Sequence, residues 1–186
     1  MYTGDRVNRL TRVADHGFCY VQFSAQPGVT YHVVADDQGH WGKFRMTAIA
    51  VTPPPNDDFA DATAITLGST VSATTLYASR EPGEPPTLYR PGRPHTVWFR
   101  LIVDATTGIQ VDASRISEYS CSLLDGIQVY TGEQLNELQE VSQRFISAVG
   151  ACGAFQFDAP PGVYSLRAEA SVFGEGDFQL TARAVP

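Results

Sequence analysis

Short runs of alternating apolar and polar residues, separated by glycine and proline, make up most of this 186-residue chain. Alternation with a period of two is typical of strands that bury one face, and β-branched and aromatic residues strengthen the signal. The pattern predicts strands at 18–24, 30–36, 43–51, 63–67, 70–78, 95–103, 107–113, 124–130, 153–158, 163–169 and 176–185. Helical periodicity is confined to 133–141, where it predicts a turn or two. The chain is therefore expected to be all-β, folded as an antiparallel β-sandwich or jelly roll.

The chain also contains an internal repeat, because residues 1–51 align with residues 129–185. The clearest matches are Tyr2-Thr3-Gly4 with Tyr130-Thr131-Gly132, Gln22-Phe23 with Gln156-Phe157, Pro27-Gly28-Val29 with Pro161-Gly162-Val163, and Gly42 and Phe44 with Gly176 and Phe178. The second copy has a six-residue insertion, after which the match is expected to run without a gap. Repetition on this scale outranks local signals in predicting a fold.

The segment that should precede each copy, residues 56–130, occurs once in this sequence. We therefore predict the second half of a β-sandwich repeat at 1–51, a Pro-rich linker at 52–56 and a complete repeat at 57–186. Three consecutive prolines mark the linker, since proline cannot donate to a sheet ladder. Residues 1–186 thus contain one first half of the repeat and two second halves.

Amino-acid composition and net charge argue against several functional classes. A net charge of −7 and a pI near 4.9 argue against a nucleic-acid binder or a protein that binds anionic membranes. No apolar run approaches the roughly 18 residues of a membrane span, so no membrane insertion is expected. Hydrophobic residues make up 43% of the chain, enough for a sizeable core.

Motifs for catalysis are missing from the sequence. The histidines have no metal-ligand spacing; they are His16, His32, His40 and His95. The chain has no phosphate-binding glycine loop and no nucleophile elbow. We therefore predict that the protein is not an enzyme and that His95 is structural.

Six sequence elements in a fixed order resemble the bacterial pre-peptidase C-terminal domain and its relatives. They are Asn56–Ala62, Glu81–Pro85, His95–Arg100, Val129–Gly132, Phe157–Tyr164 and Gly174–Leu180. The resemblance implies a jelly-roll β-sandwich, an extracellular or cell-surface location, and a non-catalytic role beside proteases or in surface proteins. The chain departs from the family at Leu101, where a second tryptophan is common.

The family commonly pairs a cysteine of the first half with one of the second half. The resemblance therefore implies a disulfide between Cys121 and Cys152, with Cys121–Cys19 as the alternative. One thiol is left over in either case, and Cys19 is the candidate for an intermolecular bond. A small buried cysteine is the other interpretation of the odd thiol.

An acidic cluster follows the linker and consists of Asn56, Asp57, Asp58 and Asp61. Calcium prefers carboxylate and amide oxygens, and some relatives in the resembled family bind calcium near this junction. These residues are therefore candidate Ca²⁺ ligands, with Glu81 and Glu84 as remote additions. The alternative is that the side chains cap nearby backbone groups in turns.

Exposed aromatic residues could contact a ligand, so the expected position of each is relevant. Trp98 alternates with Val97 and Phe99 in a predicted strand and is expected in the core. Trp41 and Phe173 occupy matching positions before the closing strands, where hairpin packing is favoured over an adhesive contact.

Half a sandwich exposes strand edges and an apolar face that proteins normally cover. Residues 1–51 are therefore a remnant of a truncated array, an extra layer packed on the complete unit, or half of a sandwich that a neighbouring chain completes. The unpaired cysteine and the unpaired half-unit both favour the third explanation. We therefore expect a non-catalytic extracellular structural protein that associates with itself through its half-unit, as a strand-exchanged oligomer or filament. The alternative is a binding, adhesion or accessory module of a larger secreted hydrolase or surface protein, with a polysaccharide or protein ligand.

Overall fold

The computed structural model describes residues 1–14, 21–35, 43–88, 95–115, 124–145, 154–171 and 174–185. The chain divides into two compact units, Met1–Val51 and Thr52–Pro186. All three cysteines, as well as Trp41 and Phe173, lie outside the described residues, so both candidate disulfides stay predictions.

In its described residues, the first unit contains three two-residue strands: β1 (Tyr2–Thr3), β2 (Thr11–Arg12) and β3 (Tyr31–His32). They form an antiparallel sheet in the order β2-β1-β3. A 3-10 turn at Val7–Arg9 connects β1 to β2.

The second unit carries the remaining strands. They are β4 (Thr63–Ile65), β5 (Thr70–Thr74), β6 (Thr96–Val103), β7 (Thr107–Arg115), β8 (Leu124–Thr131), β9 (Gln139–Phe145), β10 (Ala154–Ala159), β11 (Gly162–Ala170) and β12 (Asp177–Val185). Single 3-10 turns lie at Phe59–Asp61 and Leu135–Glu137.

These strands form two sheets, as the predicted β-sandwich requires. The four-stranded sheet has the order β10-β7-β12-β5, and the five-stranded sheet has the order β4-β6-β11-β8-β9. All neighbours in the two sheets are antiparallel except β4 and β6, which are parallel, so the five-stranded sheet is mixed.

The main core is formed by the inward side chains of both sheets. Phe99 of β6 packs edge-to-face on Phe178 of β12, with ring centroids 6.0 Å apart. Leu166, Val129 and Leu180 are fully buried in the same cluster. Because Phe99 belongs to the first half and Phe178 to the second, this core exists only when both halves are present.

Trp98 is buried, but its position differs from the prediction. Successive residues of a strand point to opposite faces, so Trp98 lies on the outer face of the five-stranded sheet while Val97 and Phe99 point into the sandwich. There it forms a second cluster with Phe59 and Tyr130, with its ring 5.1 Å from Phe59 and 6.0 Å from Tyr130. Trp98 is buried on this outer face because a loop covers that part of the sheet.

Several predicted elements are corrected by the structure. The segment 133–141 contains one 3-10 turn, in agreement with the predicted turn or two, but β9 begins at Gln139, where the sequence predicted no strand. The described part of 18–24 and the whole of 43–51 form no strand. The predicted strand 30–36 is reduced to β3, and 70–78 to β5.

In the part of the chain that the structure describes, no helix has the length and apolar character needed to cross a bilayer.

Candidate functional site

The first unit keeps the strand register of the complete repeat. Two antiparallel pairs recur at equivalent positions: Tyr2 with Arg12 and Thr3 with Thr11, against Tyr130 with Glu140 and Thr131 with Gln139. The 3-10 turn between the paired strands recurs as well, at Val7–Arg9 and at Leu135–Glu137. The repeat in sequence is therefore also a repeat in structure.

A glycine with positive φ begins both turns. Gly4 has φ +129° and Gly132 has φ +121°. A Cβ at Gly4 would lie 2.8 Å from the carbonyl oxygen of Arg9, and a Cβ at Gly132 would lie 2.7 Å from that of Glu137. Neither the backbone angle nor the space accepts another residue, so the glycine shared by both copies has a geometric cause.

A second shared feature corrects the expectation of a gapless match. Tyr31 Oη accepts a hydrogen bond from the backbone N–H of Gln26, five residues earlier, at 2.8 Å. Tyr164 Oη donates to the carbonyl oxygen of Pro160, four residues earlier, also at 2.8 Å. Tyr31 is thus the counterpart of Tyr164, and the turn of the first unit is one residue longer.

Strand register agrees with this reassignment. His32 pairs with Tyr2, whereas Ser165 pairs with Tyr130. Tyr2 is the counterpart of Tyr130, so His32 corresponds to Ser165 and Tyr31 to Tyr164. The two tyrosines also contact equivalent rings, Phe23 at 4.7 Å and Phe157 at 5.6 Å.

Residues 43–51 form no strand, and the pairing of their counterpart, β12, gives the reason. In the complete unit β12 lies between β5 and β7, and β10 pairs with β7. Both β5 and β7 belong to the first half of the repeat. The counterparts of β12 and β10 in the first unit, 43–51 and 21–25, therefore lack their neighbouring strands, while β1, β2 and β3 can pair because their partners lie within the second half.

Equivalent side chains of the two units also differ in how far they are exposed to solvent. Phe44 is 76% exposed and Met46 63% exposed, whereas their counterparts Phe178 and Leu180 are 1% and 0% exposed. None of the described side chains of residues 1–51 is classed as buried. We define the open edge as residues 43–51, which retain the alternation of β12 without its partners.

The candidate calcium ligands have other partners. Asn56 Nδ2 donates to the carbonyl oxygen of Trp98 at 2.9 Å. Asp57 accepts hydrogen bonds from the Ser79 backbone N–H at 2.5 Å and from the Ser79 hydroxyl at 2.7 Å. Burial raises the pKa of Asp57, and the two hydrogen bonds from Ser79 oppose that rise. Asn56 and Asp57 thus attach the linker end to distant strands.

The other members of the acidic cluster are exposed. Asp58 precedes the turn Phe59–Asp61 and makes no side-chain capping bond, and Asp61 lies within it. Glu81, considered as a remote ligand, accepts a hydrogen bond from the Phe59 N–H at 2.5 Å. Among the described residues, Asp, Glu, His and Cys side chains form no group of three or more that could hold a metal ion. Calcium binding stays a prediction.

A buried charged network, which the sequence did not predict, lies on the outer face of the five-stranded sheet. Arg167 stands between Trp98 of β6 and Gln128 of β8 in one row across three strands. Its guanidinium donates to Gln128 Oε1 and to the carbonyl oxygens of Pro85 and Pro86, at 2.6 and 2.7 Å for the prolines. The proline-rich loop is thereby attached to the sheet.

Two carboxylates neutralise this guanidinium. Arg167 Nη1 lies 3.4 Å from Glu84, and Nη2 lies 3.6 Å from Glu169. Glu84 also accepts a hydrogen bond from the Thr96 hydroxyl at 2.9 Å. Burial raises the pKa of Glu84, opposed by the Thr96 hydrogen bond and the charge of Arg167. Burial likewise raises the pKa of Glu169, opposed by the Leu88 N–H and Arg167.

The aromatic cluster lies against the same guanidinium. Arg167 Cζ is 5.9 Å from the ring centroids of both Trp98 and Tyr130, within cation–π range. Tyr130 Oη has no hydrogen-bond partner among the described residues, and burial raises its pKa. These charges face one another rather than solvent, so the network holds the loop 79–88 in place.

His95, predicted to be structural, is buried. Its Nε2 lies 3.2 Å from Glu175, and its Nδ1 lies 2.7 Å from the carbonyl oxygen of Ala78. The Glu175 side chain also accepts a hydrogen bond from the N–H of Tyr77, which has φ +62°. His95 therefore connects the start of β6 to two turns.

No model of a known protein family matches the sequence, and no curated protein matches it. Among solved structures, the chain is similar to the pre-peptidase C-terminal domain of a collagenase from Bacillus anthracis. The two share 18% identity with a TM-score of 0.41, over 66% of this chain and 94% of that domain. The domain in this match bears the name of the family that the sequence elements resemble.

Proposed function

We propose that this protein is a non-catalytic extracellular assembly module whose residues 1–51 accept the first-half strands of another polypeptide chain. The complete unit is a finished β-sandwich, whereas the first unit presents the second half of the same sandwich. Completion by strands from another chain is an established form of protein recognition, in which backbone hydrogen bonds supply affinity and alternating side chains supply specificity.

One observation carries the proposal: Phe44 is exposed where its counterpart Phe178 is buried. In the complete unit, Phe178 is covered by Phe99 of the first half. Burying a side chain of this size contributes about 1.5–3 kcal/mol. Phe44 and Met46 together therefore supply a driving force for association, to which new strand pairing adds.

Self-association through the half-unit, as a strand-exchanged oligomer or filament, is the form of this function that the sequence predicts. The filament form requires that the first half of each chain leave its own second half and join residues 1–51 of the next chain. The proposal itself requires only that the first half come from a different chain.

The test is co-expression of the full chain with a second polypeptide that carries only residues 56–130. We expect one such fragment to be retained for each full chain, measured by native mass spectrometry. Phe44→Asp and Met46→Asp should each reduce retention at least tenfold, because both place a charge where the core of the completed sandwich would form.

Ile49→Asp is the matched control. Ile49 is the counterpart of Arg183, which is exposed on β12, so the same change of an apolar residue to aspartate should leave retention within twofold of the unaltered chain. Loss of retention in all three variants, or in none of them, would contradict the proposal.

A further inference from the structure

The open edge differs from β12 in the charge of its outward positions. In the complete unit, Asp177 and Gln179 occupy the first two of these positions. Lys43 and Arg45, both exposed, stand at the equivalent positions of the first unit. Lys43 thus replaces the negative charge of Asp177 with a positive charge, and Arg45 places a positive charge where Gln179 is neutral.

The first half of this chain is not matched to those cations. Gln179 stands between Ser72 of β5 and Ser114 of β7, and its amide lies 3.5 Å from the Ser72 hydroxyl. Asp177 stands opposite Thr74. Strands with this sequence would place hydroxyl side chains directly opposite Lys43 and Arg45, and their nearest carboxylate, that of Asp112, would stand opposite Thr47.

Elsewhere in the same sheet, an outward arginine does have an acidic neighbour. Arg183 of β12 lies 3.6 Å from Asp112 of β7. Opposite charges on neighbouring strands contribute roughly 0.2–1 kcal/mol each, and like charges oppose pairing. A donor strand with carboxylates beside Lys43 and Arg45 would therefore be preferred to one with serine or threonine.

The number of halves within residues 1–186 also argues against residues 56–130 of a second copy as the donor. These residues contain one first half and two second halves, so exchange of residues 56–130 between copies leaves one of the two second halves open. Such exchange creates no additional completed sandwich, and it costs the translational freedom of the chains. A different polypeptide with an unpaired first half does add one.

We infer that the partner of the open edge is a different protein chain, whose donor strand alternates apolar inward residues with acidic outward residues opposite Lys43 and Arg45. This inference rests on the proposed function and specifies its partner. The inward residues would cover Phe44 and Met46, as the first half covers Phe178 and Leu180 in the complete unit. The outward carboxylates would pair with the two cations.

The experiment uses the full chain and two synthetic peptides. One has the sequence of β7, residues 107–115, and the other has the same sequence with Ser114→Glu, the position equivalent to the neighbour of Arg45. Binding is measured as protection of the amides of 43–51 from hydrogen exchange during peptide titration. We expect the acidic peptide to bind about two- to fivefold more tightly at low salt, the range for one exposed ion pair.

Two variants of the full chain separate charge from strand pairing. The double variant Lys43→Glu, Arg45→Glu should reverse the preference, so that the unaltered peptide binds more tightly. Phe44→Asp should abolish the protection caused by either peptide. Equal affinity of both peptides for the full chain, with no reversal in the double variant, would overturn the inference, as would failure of both peptides to protect 43–51.

The outcomes distinguish the inference from the function on which it rests. Protection of 43–51 without peptide, rising with protein concentration, would identify a second copy as the donor; it would overturn the inference and leave the proposed function intact. Failure of the co-expressed fragment 56–130 to be retained, together with protection by the acidic peptide, would support the inference and restrict the function to acidic donors.

Discussion

Arg167 Nη1 lies 3.4 Å from Glu84 Oε2, and both side chains are fully buried on the outer face of the five-stranded sheet. This pair connects β11 to the proline-rich loop, and the carbonyl oxygens of Pro85 and Pro86 accept further hydrogen bonds from the same guanidinium. A face that would otherwise meet solvent is thereby covered, and Trp98 is buried beneath the loop.

Replacement of Arg167 by methionine should destabilise the complete unit. Removal of one partner leaves Glu84 and Glu169 buried without a counter-charge, which typically costs about 3–5 kcal/mol. Chemical denaturation measures the loss in the free energy of unfolding. The double variant Arg167→Met, Glu84→Gln should recover part of that loss, and a single variant that loses less than about 1 kcal/mol would contradict the role assigned to the pair.

The pH dependence of stability should include a contribution from Glu84. Its pKa in the folded protein is raised by burial above the ordinary value of 4.5, so the folded state holds this proton at pH values where the unfolded state has released it. Stability from this group is therefore greatest at low pH and falls as pH rises from about 4.5 through the folded pKa.

The matched variant for this prediction is Glu84→Gln, which cannot titrate. The free energy of unfolding of the variant, minus that of the unaltered protein, should increase as pH rises above 4.5. Denaturant titrations at a series of pH values give this difference. A difference that is constant with pH, or that decreases, would show that the pKa is not raised.

Gly132→Ala should destabilise the complete unit more than Gly68→Ala. Both glycines have positive φ, +121° and +85°, so both substitutions strain the backbone by about 1–3 kcal/mol. Only at Gly132 would the new Cβ also meet a carbonyl oxygen, that of Glu137 at 2.7 Å. Equal shifts in the thermal midpoint of the two variants would show that the close approach adds nothing.

Asp57→Ala should destabilise the protein by the same amount with and without calcium. Its carboxylate accepts two partly buried hydrogen bonds from Ser79, and the loss of such hydrogen bonds costs on the order of 1 kcal/mol each. Calorimetric unfolding in a chelator and in millimolar calcium makes the comparison. A loss that appears only in calcium would favour the predicted metal site, with Asp58→Asn as the second variant to measure.

Much of the complete unit could be predicted from the sequence, because its strands alternate regularly. Strands β6, β8, β11 and β12 lie within a residue or two of the predicted bounds. β9 was missed because Leu135, Leu138 and Val141 have helical spacing, although Gly132 with its positive φ begins a tight turn there. Sheet pairing with β8 decides the conformation of that segment.

The buried network was not predictable from local pattern. Arg167 and Glu84 are far apart in sequence, and charged residues in strands and loops are ordinarily taken as exposed. One signal was present, since β11 places Arg167 between Leu166 and Ala168, so a long polar side chain had to lie on the face opposite the core. Its partners Glu84, Pro85 and Pro86 are brought to this face only by the tertiary fold of the proline-rich loop.

The sequence by itself determined the repeat, the alternation that places Phe178 and Phe44 on equivalent faces, and the single occurrence of the first half. Tertiary structure alone decided which of these equivalent segments became strands, because a strand requires a hydrogen-bonded neighbour that local sequence does not contain. Residues 177–185 are a strand because β5 and β7 flank them, and residues 43–51, with the same alternation, are not a strand because those neighbours are missing from their unit.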